Sequence, residues 1–189
     1  MGEVCKVIVI GDCSVGKTCI IQRYTNNTFD ENQTATVGAS FIDYYFTDTT
    51  NTQHKLRIWD TCGQEHYQSI VPMYFRGAAC VILVFDVTNI DSFKGMNAWL
   101  NIALENAPEN VPVVVLGNKC DLESSIPESL IETFINERNY HVFKVSSKTG
   151  EYIKEAFDFI CSLALKKQKE LSAEKIDQIT VVQQKSWCC

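Results

Sequence analysis

Four short stretches of this chain carry side chains whose types and spacing can do chemistry. The first, "GDCSVGKT" at 11–18, fits the pattern of a glycine, four residues, then glycine, lysine and Ser or Thr. An apolar run precedes it and a helix-forming run follows, which is the context such a loop needs. Backbone N–H groups over Ser14, Val15, Gly16, Lys17, Thr18 and Cys19 then face inward and cradle phosphate oxygens at the positive end of a helix. Lys17 can bridge the outer two phosphates, and the Thr18 hydroxyl can reach Mg²⁺. The bland alternative, a glycine-rich turn with a surface lysine, accounts for the glycines but not for the lysine and hydroxyl at this spacing. By itself the loop says only that a nucleoside triphosphate binds; ATPases, nucleotide kinases and GTPases all use it.

The second stretch, "NKCD" at 118–121, ends an apolar run, where an open α/β sheet binds ligands. The Asp121 carboxylate can accept from the N1–H and the 2-amino group of guanine. Adenine offers neither donor, so a carboxylate there can reject it by roughly 10⁴. Asn118 can hydrogen-bond the base and the Lys119 stem can cover its face. The third, "WDTCGQE" at 59–65, also ends a strand-like run. Asp60 is placed to hold Mg²⁺ through water, Gly63 to bring its N–H to the terminal phosphate, and Gln64 to orient an attacking water. The fourth, "SSKTG" at 146–150 with Ser146, Ser147 and Lys148, can offer backbone N–H groups and the stem of Lys148 to the base. Either of the last two stretches taken singly also reads as an ordinary strand end with a turn.

Positioning these groups requires strands that end at each motif. Runs rich in β-branched residues over 4–10, 41–46, 55–59, 81–87, 113–116 and 141–145 predict strands. Helical patterns over 17–26, 91–105, 127–139 and 152–167 lie between several of them. Continuous runs such as "VILVF" and "VPVVVLG" suit parallel strands buried on both faces. The polar "TDTTNTQ" between the second and third strands predicts an antiparallel hairpin at one edge. The expected fold is therefore α/β, a P-loop NTPase domain with a mostly parallel six-stranded sheet, one antiparallel edge strand and flanking helices.

Bulk composition narrows the function further. Of 189 residues, 46% are hydrophobic and 21% charged, the balance of a globular domain. A net charge of -6 argues against nucleic acid as a partner, because that role needs a basic face. Seven scattered cysteines with no C-x-x-C pair read as reduced thiols rather than a zinc site or disulfides. No run is long enough to span a bilayer and no signal peptide opens the chain. After Lys167 the apolar periodicity fades, giving an expected division into a domain over 1–168 and a flexible tail over 169–189. The tail ends in Cys188 and Cys189, which calls for its own explanation.

Taken together, these motifs resemble a Ras-like small GTPase, and the intervening segments resemble the Rab family. "TVGASF", "KLRIWDTCGQE", "HYQSI", "MYFRGA" and "LVFDVT" each look like a Rab-typical segment, in matching order over about 4–165. The resemblance implies a GTP/GDP switch of vesicle traffic that hydrolyses GTP slowly with Mg²⁺. It implies that Thr36 closes on Mg²⁺ and the terminal phosphate, and that Phe29 packs at the base. Phe41, Trp59 and Tyr74 match the aromatic triad shown to effectors, and Cys188 and Cys189 match a double geranylgeranylation signal. The wording of "GASF" and "PMYFRGA" is closest to the endosomal branch, placing the protein on the cytoplasmic face of an endosomal membrane and cycling with cytosol. Exchange factor, GTPase-activating protein, effectors, GDP-dissociation inhibitor and prenylation escort are the implied partners of a monomer. Departures from the family pattern are Ala35 for proline, Cys62 and Ser147 for alanine, His66 for arginine, and a thiol, Cys13, in the phosphate loop. A GTP-binding scaffold with little hydrolysis is the alternative, and the intact Gly63 and Gln64 count against it.

Overall fold

The computed structural model describes residues 2–36, 38–63 and 72–186. Its centre is a six-stranded sheet of β1 (Val4–Ile10), β2 (Ala39–Thr47), β3 (Gln53–Thr61), β4 (Cys80–Asp86), β5 (Val113–Asn118) and β6 (His141–Lys144), in the order β2-β3-β1-β4-β5-β6. All neighbours run parallel except β2 against β3, where Phe41 faces Trp59 and Asp43 faces Arg57. The expected edge hairpin is therefore present.

The apolar runs are explained by the two-residue period of a strand. Val7 and Val9 of β1, Ile82 and Val84 of β4, and Val114 and Leu116 of β5 belong to one core. Their alternates Ile8, Ile10, Val81, Leu83, Val113 and Val115 belong to the other. Each face needs helices to cover it. On the first, α1 (Lys17–Asn26) contributes Ile20 and Ile21, and α5 (Ile153–Ser186) contributes Ala156, Phe157, Ile160 and Ala164 at helical spacing. On the second, α3 (Ile90–Asn106) contributes Met96, Trp99, Leu100 and Ala103, and α4 (Glu128–Arg138) contributes Ile131 and Phe134. The short α2 (Pro72–Phe75), which no pattern predicted, adds the buried Phe75. Each fully buried aliphatic side chain is worth about 1.5–3 kcal/mol, so two complete layers hold the strand ends rigidly in place.

Helix ends differ modestly from expectation. Asn89 caps α3, its side chain accepting from the N–H groups of Asp91 and Ser92. Pro127 precedes α4 as its cap rather than standing in the first turn, since its ψ of 133° is not helical. The end of α5 requires correction: the helix continues past Lys167 to Ser186. Residues 168–186 contain no glycine or proline and are rich in Gln, Lys and Glu, so backbone propensity carries the helix on past Leu165 and Lys167, the last of its buried residues among those whose burial is described. The seven described cysteines are free thiols. Burial pushes Cys5 up to about 12 and Cys161 up to about 11, which leaves both unreactive core residues.

Candidate functional site

The chain departs from β1 toward β3 on one side and β4 on the other, so the carboxyl end of β1 is a topological switch point. A cavity of about 450 Å³ opens there, lined by the phosphate-type loop, the 29–36 segment, residues 61–63, and the loops after β5 and β6. Of the sequence-assigned residues, Ser14, Gly16, Lys17, Thr18, Cys19, Phe29, Thr36, Gly63, Asn118, Lys119, Asp121, Ser147 and Lys148 line it. Val15 and Ser146 stand behind the wall, both buried. Gln64, His66, Cys188 and Cys189 lie outside the described residues.

Close packing of backbone shapes the phosphate-facing wall. Gly16 adopts φ +93°, and a Cβ there would sit 2.3 Å from Asn118 Nδ2. At Gly63 a Cβ would come within 2.5 Å of the Asp12 carbonyl and the Cys13 nitrogen, so this residue lies directly against the loop. Lys17 Nζ donates to the carbonyls of Gly11 (2.9 Å) and Asp12 (2.7 Å). Burial depresses its pKa, and the nearby Asp60 carboxylate opposes that shift. Asp12, unassigned from sequence, accepts from Trp99 Nε1 at 2.7 Å and ties the loop to α3. An acidic residue in a phosphate loop and a tryptophan far along the chain give no local signal of that partnership.

Three oxygens converge beside the lysine. Thr18 Oγ1 donates to Asp60 Oδ2 (2.7 Å) and lies 2.9 Å from Thr36 Oγ1, which itself reaches Asp60 Oδ2 at 3.3 Å. The other carboxylate oxygen, Asp60 Oδ1, is buried and has no hydrogen-bond partner among the described residues. Burial raises the Asp60 pKa, with the Thr18 hydroxyl pulling the other way. An all-oxygen set with one unpartnered anionic oxygen fits a hard divalent cation such as Mg²⁺, which takes few protein carboxylates and completes its shell with phosphate and water. No cluster of three or more His, Cys, Asp or Glu that could hold a metal occurs among the described residues.

At the other end of the cavity, Asn118 is fully buried and braces two loops. Its Nδ2 donates to Val15 O (2.9 Å) and Ser147 Oγ (3.3 Å), and its Oδ1 accepts from Ser147 N (3.0 Å). Ser146 Oγ donates to Asp121 Oδ1 at 2.6 Å. Within the 146–150 stretch, the N–H groups of Ser146 and Ser147 are taken up by the protein itself. Ser146 N donates to Glu151 O, and Ser147 N is held by Asn118, so both serve the loop itself. Ser147 also contributes its hydroxyl, beyond the backbone role expected of it. Lys119, at φ +67°, pairs with Asp86, and Lys148 pairs with Glu31 at 2.8 Å across the mouth. On the sheet's outer edge the rings of Phe41 and Trp59 lie 5.3 Å apart, and those of Trp59 and Tyr74 5.1 Å. Phe41 is half exposed, whereas Trp59 and Tyr74 are partly buried and pack against the second core.

This sheet order and the convergence of a phosphate loop with the 118–121 and 146–150 loops define a Ras-like P-loop GTPase domain. Comparison with known proteins carries the assignment further. The Ras family model matches residues 6–166. The chain is 36% identical to "Ras-related protein Rab7" of Cenchrus ciliaris, over 97% of this chain and 96% of that protein. It is 38% identical to "Ras-related protein Rab-31" of Homo sapiens (82% and 80% covered) and 36% identical to "GTP-binding protein ypt5" of Schizosaccharomyces pombe (82% and 75%). The chain belongs to the Ras family of small GTPases, in its Rab branch. It is accordingly a GTP hydrolase and a GTP-binding switch of membrane traffic, of a family that works with exchange factors, activating proteins, effectors and a GDP-dissociation inhibitor at intracellular membranes. No described helix is long and apolar enough to cross a membrane.

Proposed function

We propose that this GTPase acts in endocytic traffic as a slow, Mg²⁺-dependent timer. The observation that carries the switch is the Thr18–Asp60–Thr36 oxygen cluster, which joins the phosphate loop, the end of β3 and the 29–36 segment at one point. In this reading Lys17 and the N–H groups of 14–19 hold the phosphates, while Thr18, Thr36 and, through water, Asp60 hold Mg²⁺. A bound Mg²⁺ would neutralise charge on the phosphates. Gly63 contacts the terminal phosphate, and Gln64 positions the attacking water. Asp121 reads guanine, Lys119, Lys148 and Phe29 cover the base, and Asn118, Ser146 and Ser147 brace that pocket. Intrinsic turnover is on the order of 10⁻⁴ to 10⁻³ per second, because no arginine lines the cavity among the described residues to meet the developing charge. Arg57 is committed to Asp43, and Arg138 to Asn97 and Glu137. An activating protein then supplies the missing arginine.

Phe41, Trp59 and Tyr74 present the effector surface. The domain over 1–168 is followed by a tail whose Cys188 and Cys189 carry two lipids and anchor it to an endosomal membrane; the resemblance of "GASF" and "PMYFRGA" supports that branch. Two measurements test the reading. Mass spectrometry of nucleotide released from purified protein should find GDP, and single-turnover hydrolysis of added GTP should be slow and Mg²⁺-dependent. In cells the tagged chain should coincide with an internalised fluid-phase tracer, and the variant with both terminal cysteines changed to serine should be cytosolic. Adenine nucleotide in the first assay, or a secretory pattern in the second, overturns the corresponding part.

A further inference from the structure

Arg23 lies in the last turn of α1 and does not line the nucleotide cavity, yet its guanidinium makes four hydrogen bonds. Nε donates to Ser147 O (2.8 Å) and Nη2 to Lys148 O (2.6 Å). Nη1 donates to both the carbonyl and the side-chain oxygen of Asn27, each at 3.1 Å. Asn27 is the left-handed C-cap of α1, and its own N–H returns to Arg23 O. The arginine is thus locked at its base and grips two consecutive carbonyls of the loop after β6 with a planar fork that matches them.

Gripping a carbonyl fixes the whole peptide plane, including the N–H on its far side. With Ser147 O held, the 147–148 peptide is set, and with it the residue whose N–H bonds Asn118 Oδ1. With Lys148 O held, the Thr149 N–H is aimed at Ser146 Oγ (3.0 Å), and that hydroxyl donates to Asp121 Oδ1 (2.6 Å). Of two side chains that line this end of the cavity, Asp121 is therefore reached from Arg23 through the 148–149 peptide and two hydrogen bonds, and Asn118 through the backbone of Ser147. We propose that Arg23 is a positioning residue for the guanine pocket, and that it sets how long guanine nucleotide stays bound without touching it. The inference rests on the guanine-pocket reading given above.

The test uses the full-length chain loaded with ribose-labelled fluorescent GDP and Mg²⁺, chased with unlabelled GDP. Arg23→Ala should release GDP about ten- to a hundredfold faster, the range commanded by hydrogen bonds to a charged group. Arg23→Lys, which keeps the stem and one donor at a time, should fall between. Two readouts separate positioning from general loosening. Single-turnover hydrolysis should change far less than release, and the accelerations from Arg23→Ala and Asp121→Ala should fail to multiply, because both act on one chain of bonds. Release from Arg23→Ala within about twofold of wild type, or full multiplication with Asp121→Ala, overturns the proposal. If Arg23→Ala does not fold, unchanged release from Arg23→Lys overturns it. Wild-type protein that retains no GDP would instead overturn the guanine reading itself.

Discussion

Truncating Asn118 to alanine tests whether the base pocket is held by its internal bonds. The amide is fully buried, and three hydrogen bonds end with it. The Ser147 N–H loses its acceptor in a site closed to water, at about 1–3 kcal/mol. The Val15 carbonyl loses a donor and the vacated volume adds a smaller cost, whereas the Ser147 hydroxyl can rotate elsewhere. A total of about 2–4 kcal/mol follows, and at 1.4 kcal/mol per decade GDP affinity should fall by roughly 30- to 1,000-fold. Equilibrium titration with fluorescent GDP reads this directly, with thermal unfolding confirming a folded variant. Asn118→Asp sharpens the test: it keeps the acceptor for Ser147 N but turns the donor to Val15 O into an oxygen facing a carbonyl. It should bind at least as poorly as the alanine variant. Affinity within about threefold of wild type for Asn118→Ala, or near-normal binding by Asn118→Asp, would refute the reasoning.

Three further outcomes are expected. Asp121→Asn should weaken GDP binding and accept xanthosine diphosphate, whose 2-oxo group suits an amide donor; competition between the two nucleotides measures the change. Gln64→Leu should slow single-turnover hydrolysis by at least about tenfold while leaving GTP affinity intact, and unaffected turnover would remove its assigned role. The Arg57 guanidinium holds Asp43 at about 2, below its ordinary 3.8. The contribution of this pair to stability is therefore present above about pH 4 and lost as pH falls toward 2. Asp43→Asn should flatten that acid limb of a denaturation profile by under about 1 kcal/mol, since the pair is partly exposed.

Most of the architecture was legible because the apolar periods are unambiguous. β1 and α1 begin and end where the residue pattern places them, at Val4–Ile10 and Lys17–Asn26. The edge hairpin was legible from its polar turn, and the phosphate loop from a spacing few other structures need. Where the pattern is weak, reading failed: α2 is too short for a period to register, and the extension of α5 to Ser186 follows backbone propensity where the sequence shows no sustained apolar period.

What the sequence by itself determined is the list of chemical parts: the glycine–lysine–threonine loop, the Asp121 carboxylate, the oxygens of Thr18, Thr36 and Asp60, and the paired thiols Cys188 and Cys189. These depend on residue type and near-neighbour spacing, which are local properties of a chain. Only the tertiary structure decided which parts brace which. Trp99 bonding Asp12, Asn118 joining Val15 to Ser147, and Arg23 gripping the 147 and 148 carbonyls are contacts across 87, 103 and 124 residues of chain. Such pairings follow from the order β2-β3-β1-β4-β5-β6, which brings distant strand ends to one edge. The directions of buried N–H and C=O groups then settle whether a loop residue faces the ligand or, like Ser146 and Ser147, holds its neighbour.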